Sequence, residues 1–340
     1  MAERVSDIGE WGLIRRIASL LDMDGRRSGG VTTGIGDDAA SFLPRPGYEL
    51  LVTCDSMVEG LHYLPAFTGS FDRGRRAMTL NISDIGAMGG EALYALVSLG
   101  LPADTLVADV EELYRGFLYE LNPFGASIIG GNLTGSGNGM FIDITLIGEV
   151  EQGKAVRRSG ARPGDAVLVT GFPGRAAAGL QLLLRGPHDA GLADDPLVRA
   201  YTTPSHRARV GRALAATGYV TAMTDTSDGF PGDLGHVCEA SRVGAEVIRE
   251  DVPVDEAVRE AALLLGRDPY ELVLGESDDY ELVVTCDPRH VPFLQSVAAG
   301  CAAVPLTHVG RITAAQGTVM LLPGGRKVPL DAAGFDHFRR

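Results

Sequence analysis

Gly34-Ile35-Gly36-Asp37-Asp38-Ala39-Ala40 sets two glycines beside two adjacent carboxylates, ahead of any strong apolar run. Its spelling matches the G-x-G-x-x-A of a dinucleotide-binding loop. In that loop the pyrophosphate lies on a helix N-terminus, where two carboxylates would repel it. No apolar strand precedes Gly34 either. A turn that serves a hard cation fits the chemistry better, because Mg2+ takes carboxylate oxygens and leaves positions for substrate phosphates. Taken alone, the stretch also reads as an ordinary solvated turn.

Further aspartates along the chain decide between those readings. Leu50 to Asp55 reads as a buried strand ending on a carboxylate, followed by a loop from Ser56 to His62. Arg73 to Met88 reads as a helix closed by Gly89-Gly90, with Asn81 and Asp84 at i and i+3 on one face. Leu93 to Leu101 is a strand, Val107 to Leu121 a helix, and Phe141 to Val150 a strand. Ala126 to Ile129 is a short strand running into a Gly130-Gly131-Asn132 turn. After a polar stretch at 151–165, Ala166 to Thr170 starts a new strand and an Ala-rich helix follows near 175–185. Val220 to Thr224 delivers Asp225-Thr226-Ser227-Asp228-Gly229, and Tyr280 to Cys286 follows Gly275-Glu276-Ser277-Asp278-Asp279. Asp38, Asp55, Asp84, Asp225 and Asp228 thus each stand at a strand end, in a glycine turn or on a glycine-ended helix. Five such carboxylates can hold several divalent ions and so offset the charge of a triphosphate. Arg158 can clamp a phosphate, or it is a solvated charge in the inter-domain stretch.

Composition narrows the classes. The 340 residues suggest two domains, and 45% hydrophobic with 22% charged residues is ordinary for a globular protein. A net charge of −14 argues against nucleic acid as a partner. Cys54, Cys238, Cys286 and Cys301 form no C-x-x-C pair, as suits a reducing compartment. The first residues lack the basic-then-apolar pattern of a secretion signal, and no apolar run reaches a membrane span, so the expectation is the cytoplasm. Only Lys154 and Lys327 are lysines, and neither lies in a Walker A loop. Protein-kinase motifs, zinc-hydrolase histidine pairs and a G-x-S-x-G elbow are absent. Nucleotide chemistry here has to lean on metals and arginine.

The motifs run in a fixed order: Gly-Ile-Gly-Asp-Asp, Thr-Cys-Asp-x-x-Val-x-Gly-x-His, Asn-Ile-Ser-Asp-Ile-Gly-Ala-Met-Gly-Gly, Gly-Gly-Asn, Arg-Ser-Gly-Ala-Arg-Pro-Gly-Asp, Asp-Thr-Ser-Asp-Gly and Asp-Asp-Tyr-Glu-Leu. In that order they resemble the thiamine-monophosphate kinases of the aminoimidazole-ribonucleotide-synthetase-like superfamily, from about residue 8 to residue 338. The resemblance implies an α+β fold of two domains, a mixed-sheet N-terminal domain (1–150) with dimerising strands that binds ATP and metal, and a C-terminal α/β sandwich domain (151–340) that completes the site. It implies γ-phosphoryl transfer from ATP to thiamine monophosphate by a homodimer, with several Mg2+ ions and room for K+. By motif match, Asp38, Thr53, Asp55, Asp84, Asn132, Asp225 and Asp228 are implied metal ligands, with Cys54 contributing through its backbone. Asp55, Asp84 and Asp225 are the implied catalytic set. Gly131, Asn132, Arg158 and Ser227 are implied to touch ATP, and His62, Asp278 and Phe335 the thiamine substrate. The chain departs from the family pattern at Asn132, where many members carry Asp, and at Cys54, where many carry Thr. It departs again at Glu276-Ser277-Asp278 and at Phe335. Two other readings stay open: a superfamily paralogue with a different acceptor, and a Mg-nucleotide-binding protein without turnover.

Overall fold

The structure, a computed structural model, describes residues 2–24, 30–186, 192 and 194–330. The chain divides into two compact units: Met1–Ile85 with Glu91–Gly153, and Gly86–Gly90 with Lys154–Arg340. The short excursion at Gly86–Gly90 has a local cause. The Gly86 backbone lies against Ala208, and the Val156 N–H donates to the Met88 carbonyl at 3.1 Å.

The first unit is built on a four-stranded sheet ordered β3-β6-β4-β5, from β3 (Tyr48–Val58), β4 (Glu91–Leu101), β5 (Ser127–Gly135) and β6 (Phe141–Glu151). Helices α1 (Val5–Asp24), α2 (Ser70–Ala87) and α3 (Val107–Leu121) accompany it, with a small ladder of β1 (Val31–Thr33) and β2 (Ser41–Phe42). α1 is bent at Gly9, whose φ of 66° is not helical. β3 pairs antiparallel with β6 in unbroken register, Tyr48 opposite Glu151 through Val58 opposite Phe141. Among the described residues it has a neighbour on that side only. Alternation then sets its faces. Leu51 and Met57 are buried, whereas Leu50 and Val52 are exposed, Val52 at 65%. The strand runs three residues past Asp55, so Ser56 is a strand residue and not the start of a loop.

A second correction concerns Gly130-Gly131-Asn132. These residues sit inside β5, paired parallel with Leu96, Val97 and Ser98 of β4, and form no turn. A Cβ on Gly131 would overlap the Val97 carbonyl oxygen. The glycine is therefore required by close backbone approach, whatever else it does. Gly131→Ala is expected to destabilise the protein by about 1–3 kcal/mol through overpacking, read as a lowered midpoint in thermal or urea unfolding.

The second unit holds a seven-stranded sheet ordered β13-β12-β9-β11-β7-β10-β8. Its strands are β7 (Ala166–Thr170), β8 (Val220–Asp225), β9 (Gly244–Ile248), β10 (Leu282–Cys286), β11 (Leu306–Thr313), β12 (Gly317–Leu321) and β13 (Lys327–Pro329). Pairing is antiparallel except between β12 and β9. Helices α4 (Arg175–Arg185), α5 (Pro196–Thr202), α6 (Ala208–Ala216), α7 (Phe230–Ser241), α8 (Glu256–Leu265), α9 (Pro269–Val273) and α10 (Val291–Ala302) complete the unit. Leu168, Met223 and Val284 pack with Leu214 of α6 and Leu294 of α10 in one cluster. β7 and β10 are buried along their whole length, which explains why they read as continuous apolar runs. No helix among the described residues is long and apolar enough to cross a membrane.

Candidate active site

In the first unit the structure brings Thr53, Asp55 and Asp84 together. Thr53 and Asp55 share a face of β3 by strand alternation, and α2 carries Asp84 to them. The Thr53 hydroxyl donates to Asp84 Oδ2, and the Asp55 and Asp84 carboxyls are hydrogen-bonded to each other. Burial first, then the charge of Asp84 and that of Asp143, pushes Asp55 up to about 7. Two carboxyls this close share a proton unless a cation replaces it.

Asp143 on β6 is a residue that sequence reasoning missed. It stands directly opposite Ser56, whose hydroxyl donates to Asp143 Oδ1 at 2.5 Å. The Cys54 thiol lies 3.7 Å from both Asp143 oxygens. Cys54 therefore points to the face opposite Thr53 and Asp55, which leaves its backbone as the part able to face the acid pair. The signal for Asp143 was available in principle: a charged residue within an alternating strand, on the face away from the buried isoleucines Ile142 and Ile144.

Asp38 and Asn132 are placed elsewhere. Both line a cavity of about 800 Å³ in the first unit, together with the Gly34–Ala40 loop, Trp11, Phe42 and Tyr114. The lining does not include Thr53, Asp55 or Asp84. Asp37 and Asp38 are exposed, and Asp37 Oδ1 accepts the Asp38 N–H at 2.9 Å, so Asp37 shapes its own turn. His62 caps the end of β3: its Nδ1 accepts the Val58 N–H at 3.0 Å, which puts the ring proton of the neutral form on Nε2.

The second unit carries the other implied residues. β8 ends on Asp225, 2% exposed and opposite Leu282 of β10. The chain then turns through Thr226, Ser227 and Asp228 into α7. Thr226 fixes this turn, since its N–H donates to the Glu281 carbonyl at 2.8 Å and its hydroxyl accepts the Glu281 N–H at 3.0 Å. Arg158 is steered by Thr224, whose hydroxyl accepts from Nε at 3.1 Å. The Arg158 carbonyl accepts from Ser241 Oγ at 3.1 Å. Asp233 of α7 was not singled out from the sequence. It accepts the Asp228 N–H at 3.1 Å, and burial pushes it up to about 7.

The segment 276–281 divides its residues by role. Ser277 Oγ accepts the Ala177 N–H at 3.1 Å, and Asp279 accepts the N–H groups of Gly174 at 2.6 Å and Ala176 at 2.8 Å, so both cap the start of α4. Glu281 accepts from Arg207 through both oxygens, at 2.6 and 2.7 Å, and from the Thr170 hydroxyl at 2.7 Å. A Cβ on Gly171 would overlap Glu281 Oε1. Tyr280 takes a positive φ of 52° between them. Asp278, half-buried, is the substrate-contact candidate of this segment. Phe335 lies outside the described residues.

The family model for the AIR synthase related protein, N-terminal domain, matches residues 36–150, and that for the AIR synthase related protein, C-terminal domain, matches residues 162–322. The chain is 32% identical to the thiamine-monophosphate kinase of Bacillus subtilis (strain 168) over 314 residues, covering 91% of this chain and 94% of that one. The chain belongs to the thiamine-monophosphate kinase family. Its fold agrees with the solved family structure from Stenotrophomonas maltophilia K279a at a TM-score of 0.80 and 32% identity, over 94% of this chain and 98% of that one. It also agrees with AaThiL complexed with AMPPCP and TMP, at a TM-score of 0.75 and 30% identity over 99% and 100% of the two chains. The two-domain α+β expectation is thereby met. The acid pair at Asp55 and Asp84 and the Asp225–Asp228 turn lie inside the stretches matched by the family models.

Proposed function

We propose that this chain transfers the γ-phosphoryl group of ATP to thiamine monophosphate, giving thiamine diphosphate and ADP. The observation that carries the reading is the length of the match: relatives of this activity align over more than nine-tenths of both chains. The AaThiL complex with AMPPCP, an ATP analogue, and TMP supports the same pair of substrates.

The donor chemistry at Asp55, Asp84 and Thr53 fits Mg2+. It is all oxygen, half-buried, and so crowded with negative charge that one carboxyl holds a proton to about neutrality. Thr53, Asp55 and Asp84 would hold ions at one place in the first unit, and Asp38 and Asn132 would do so at the cavity they line. Asp225 and Asp228 would do so in the second unit. Such ions, when bound, would supply the positive charge that offsets the phosphate oxygens. The chain's own residues do the rest by positioning. Arg158, steered through Nε by Thr224, offers its terminal guanidinium nitrogens to phosphate, beside Ser227. Gly131 presents a backbone with no side chain in the way. His62 and Asp278 would contact the acceptor. That acceptor is already a phosphate oxyanion, so no general base is needed, and in-line placement with charge stabilisation carries the reaction. A homodimer joined along β3 would cover its exposed Leu50, Val52 and Val58. The proposed location is the cytoplasm.

The test is ADP release coupled to a reporter, with thiamine monophosphate, thiamine and small phosphorylated acceptors as separate substrates, and Mg2+ and K+ varied independently. ADP release that depends on thiamine monophosphate and on Mg2+ is the expected result. Release with another phosphorylated acceptor but none with thiamine monophosphate would establish the paralogue reading in its place. The substituted segment 276–278 is what motivates that second reading.

A further inference from the structure

Asp228, Asp233 and His236 form a cluster in the second unit that the proposed reaction uses only in part. One ligand-capable atom from each lies within 4.8 Å of those of the other two. The local fold explains the convergence. Asp233 and His236 stand at i and i+3 on α7 and so share a face. The turn before the helix brings Asp228 back onto that face, held there by its own N–H bond to Asp233 Oδ2.

Asp233 is the unusual member. It is 1% exposed, yet among the described residues its Oδ1 has no hydrogen-bond partner, although the Arg158 charge and the Ser227 N–H also act on this carboxylate. A buried carboxylate oxygen left without a donor costs about 1–3 kcal/mol, more when charged. A cation at the cluster would supply what the protein does not. His236 lies on the solvent side, with Nε2 at 3.7 Å from Asp228 Oδ2. Ordinary structure offers a rival account, in which His236 and Asp228 are a surface ion pair and Asp233 merely holds the turn.

We propose that Asp228, Asp233 and His236 form a mixed oxygen–nitrogen site for a divalent first-row transition ion, able to bind it without nucleotide. The inference rests on the reading that the Asp225–Asp228 turn serves cations, and it extends that site into α7. Two carboxylates match a dication in charge. An imidazole nitrogen shifts preference from Mg2+ toward ions such as Mn2+, Co2+ or Zn2+. The Asp55–Asp84 site is all oxygen, so the two units differ in the cation they favour.

The experiment uses the full chain and Mn2+ alone, without nucleotide, read by pulsed electron paramagnetic resonance. The expected result is 14N modulation of the Mn2+ signal in the wild type and its loss in His236→Gln, a change at an exposed position that the fold tolerates. Asp233→Asn keeps an acceptor for the Asp228 N–H but removes the charge, and is expected to weaken the 14N-coupled binding about 10-fold or more. Absence of any 14N-coupled fraction at saturating Mn2+ would overturn the site, since ion held at the all-oxygen Asp55–Asp84 ligands adds only uncoupled signal; coupling that survives His236→Gln would overturn it too. Wild-type affinity in a folded Asp233→Asn would leave Asp233 as a turn-holding residue and sink the proposal. Wild-type ADP release is measured in parallel: its failure refutes the kinase reading and not this site, whereas turnover with no 14N coupling does the reverse.

Discussion

Asp84→Asn is expected to lower kcat on the order of 10³-fold while leaving the protein folded. The substitution keeps an oxygen that can accept from the Thr53 hydroxyl, so the contact between α2 and β3 survives. It removes the charge that, after burial itself, contributes most to raising Asp55. The stability change is therefore expected to run opposite to the activity change. Without divalent ions, the folded protein holds a proton at Asp55 up to about pH 7, whereas an unfolded aspartate releases it near 3.8. A folded pKa above the unfolded one means that stability falls as pH rises from about 4 to 7. Asn at 84 reduces that loss, and so does added Mg2+ in the wild type. Thermal melts at pH 5 and pH 7.5, with and without Mg2+, check both signs. Near-normal turnover in Asp84→Asn would remove the acid pair from the mechanism.

Glu281→Ala is expected to destabilise the second unit by about 3–5 kcal/mol, because it strands a largely buried guanidinium. Arg207 has 20% of its side chain exposed, Glu281 only 4%, and the Thr170 hydroxyl depends on the same carboxylate. For a unit of this size the midpoint should fall by about 10 °C. The double replacement Arg207→Met with Glu281→Met is expected to recover part of the loss, since well-packed apolar pairs often equal buried ion pairs. A full loss in the double variant would show that Thr170, and not the ion pair, dominates.

Glu281 was legible only as part of the Asp-Asp-Tyr-Glu-Leu motif, and its pairing with Arg207 was not legible at all. Periodicity reports burial, so Val107–Leu121 and Ala166–Thr170 were legible to the residue. It says nothing about a carboxylate whose partner lies 74 positions away. Glycine misled at 130–131 because a turn and a close strand pairing demand the same residue type. Among site residues, Asp55 and Asp84 were legible because their motifs recur in a known order. Asp143 was hidden in strand alternation, and Asp233 in the first turn of the helix Phe230–Ser241, outside every motif that was singled out. The grouping of Asp38, on a loop, and Asn132, within β5, around a cavity that Asp55 does not line depends on tertiary placement, which spacing does not encode.

The Glu281 contacts also constrain how such a sequence can drift. Gly171 has a positive φ of 57° and cannot gain a side chain without striking the carboxylate. Glu281 cannot shorten without abandoning Arg207, and Thr170 bonds both the Glu281 side chain and the Leu282 N–H. Any one replacement is harmful in the background of the other three. The four positions therefore behave as a single heritable unit, and substitutions there are expected to arrive together or to persist only in chains with stability to spare.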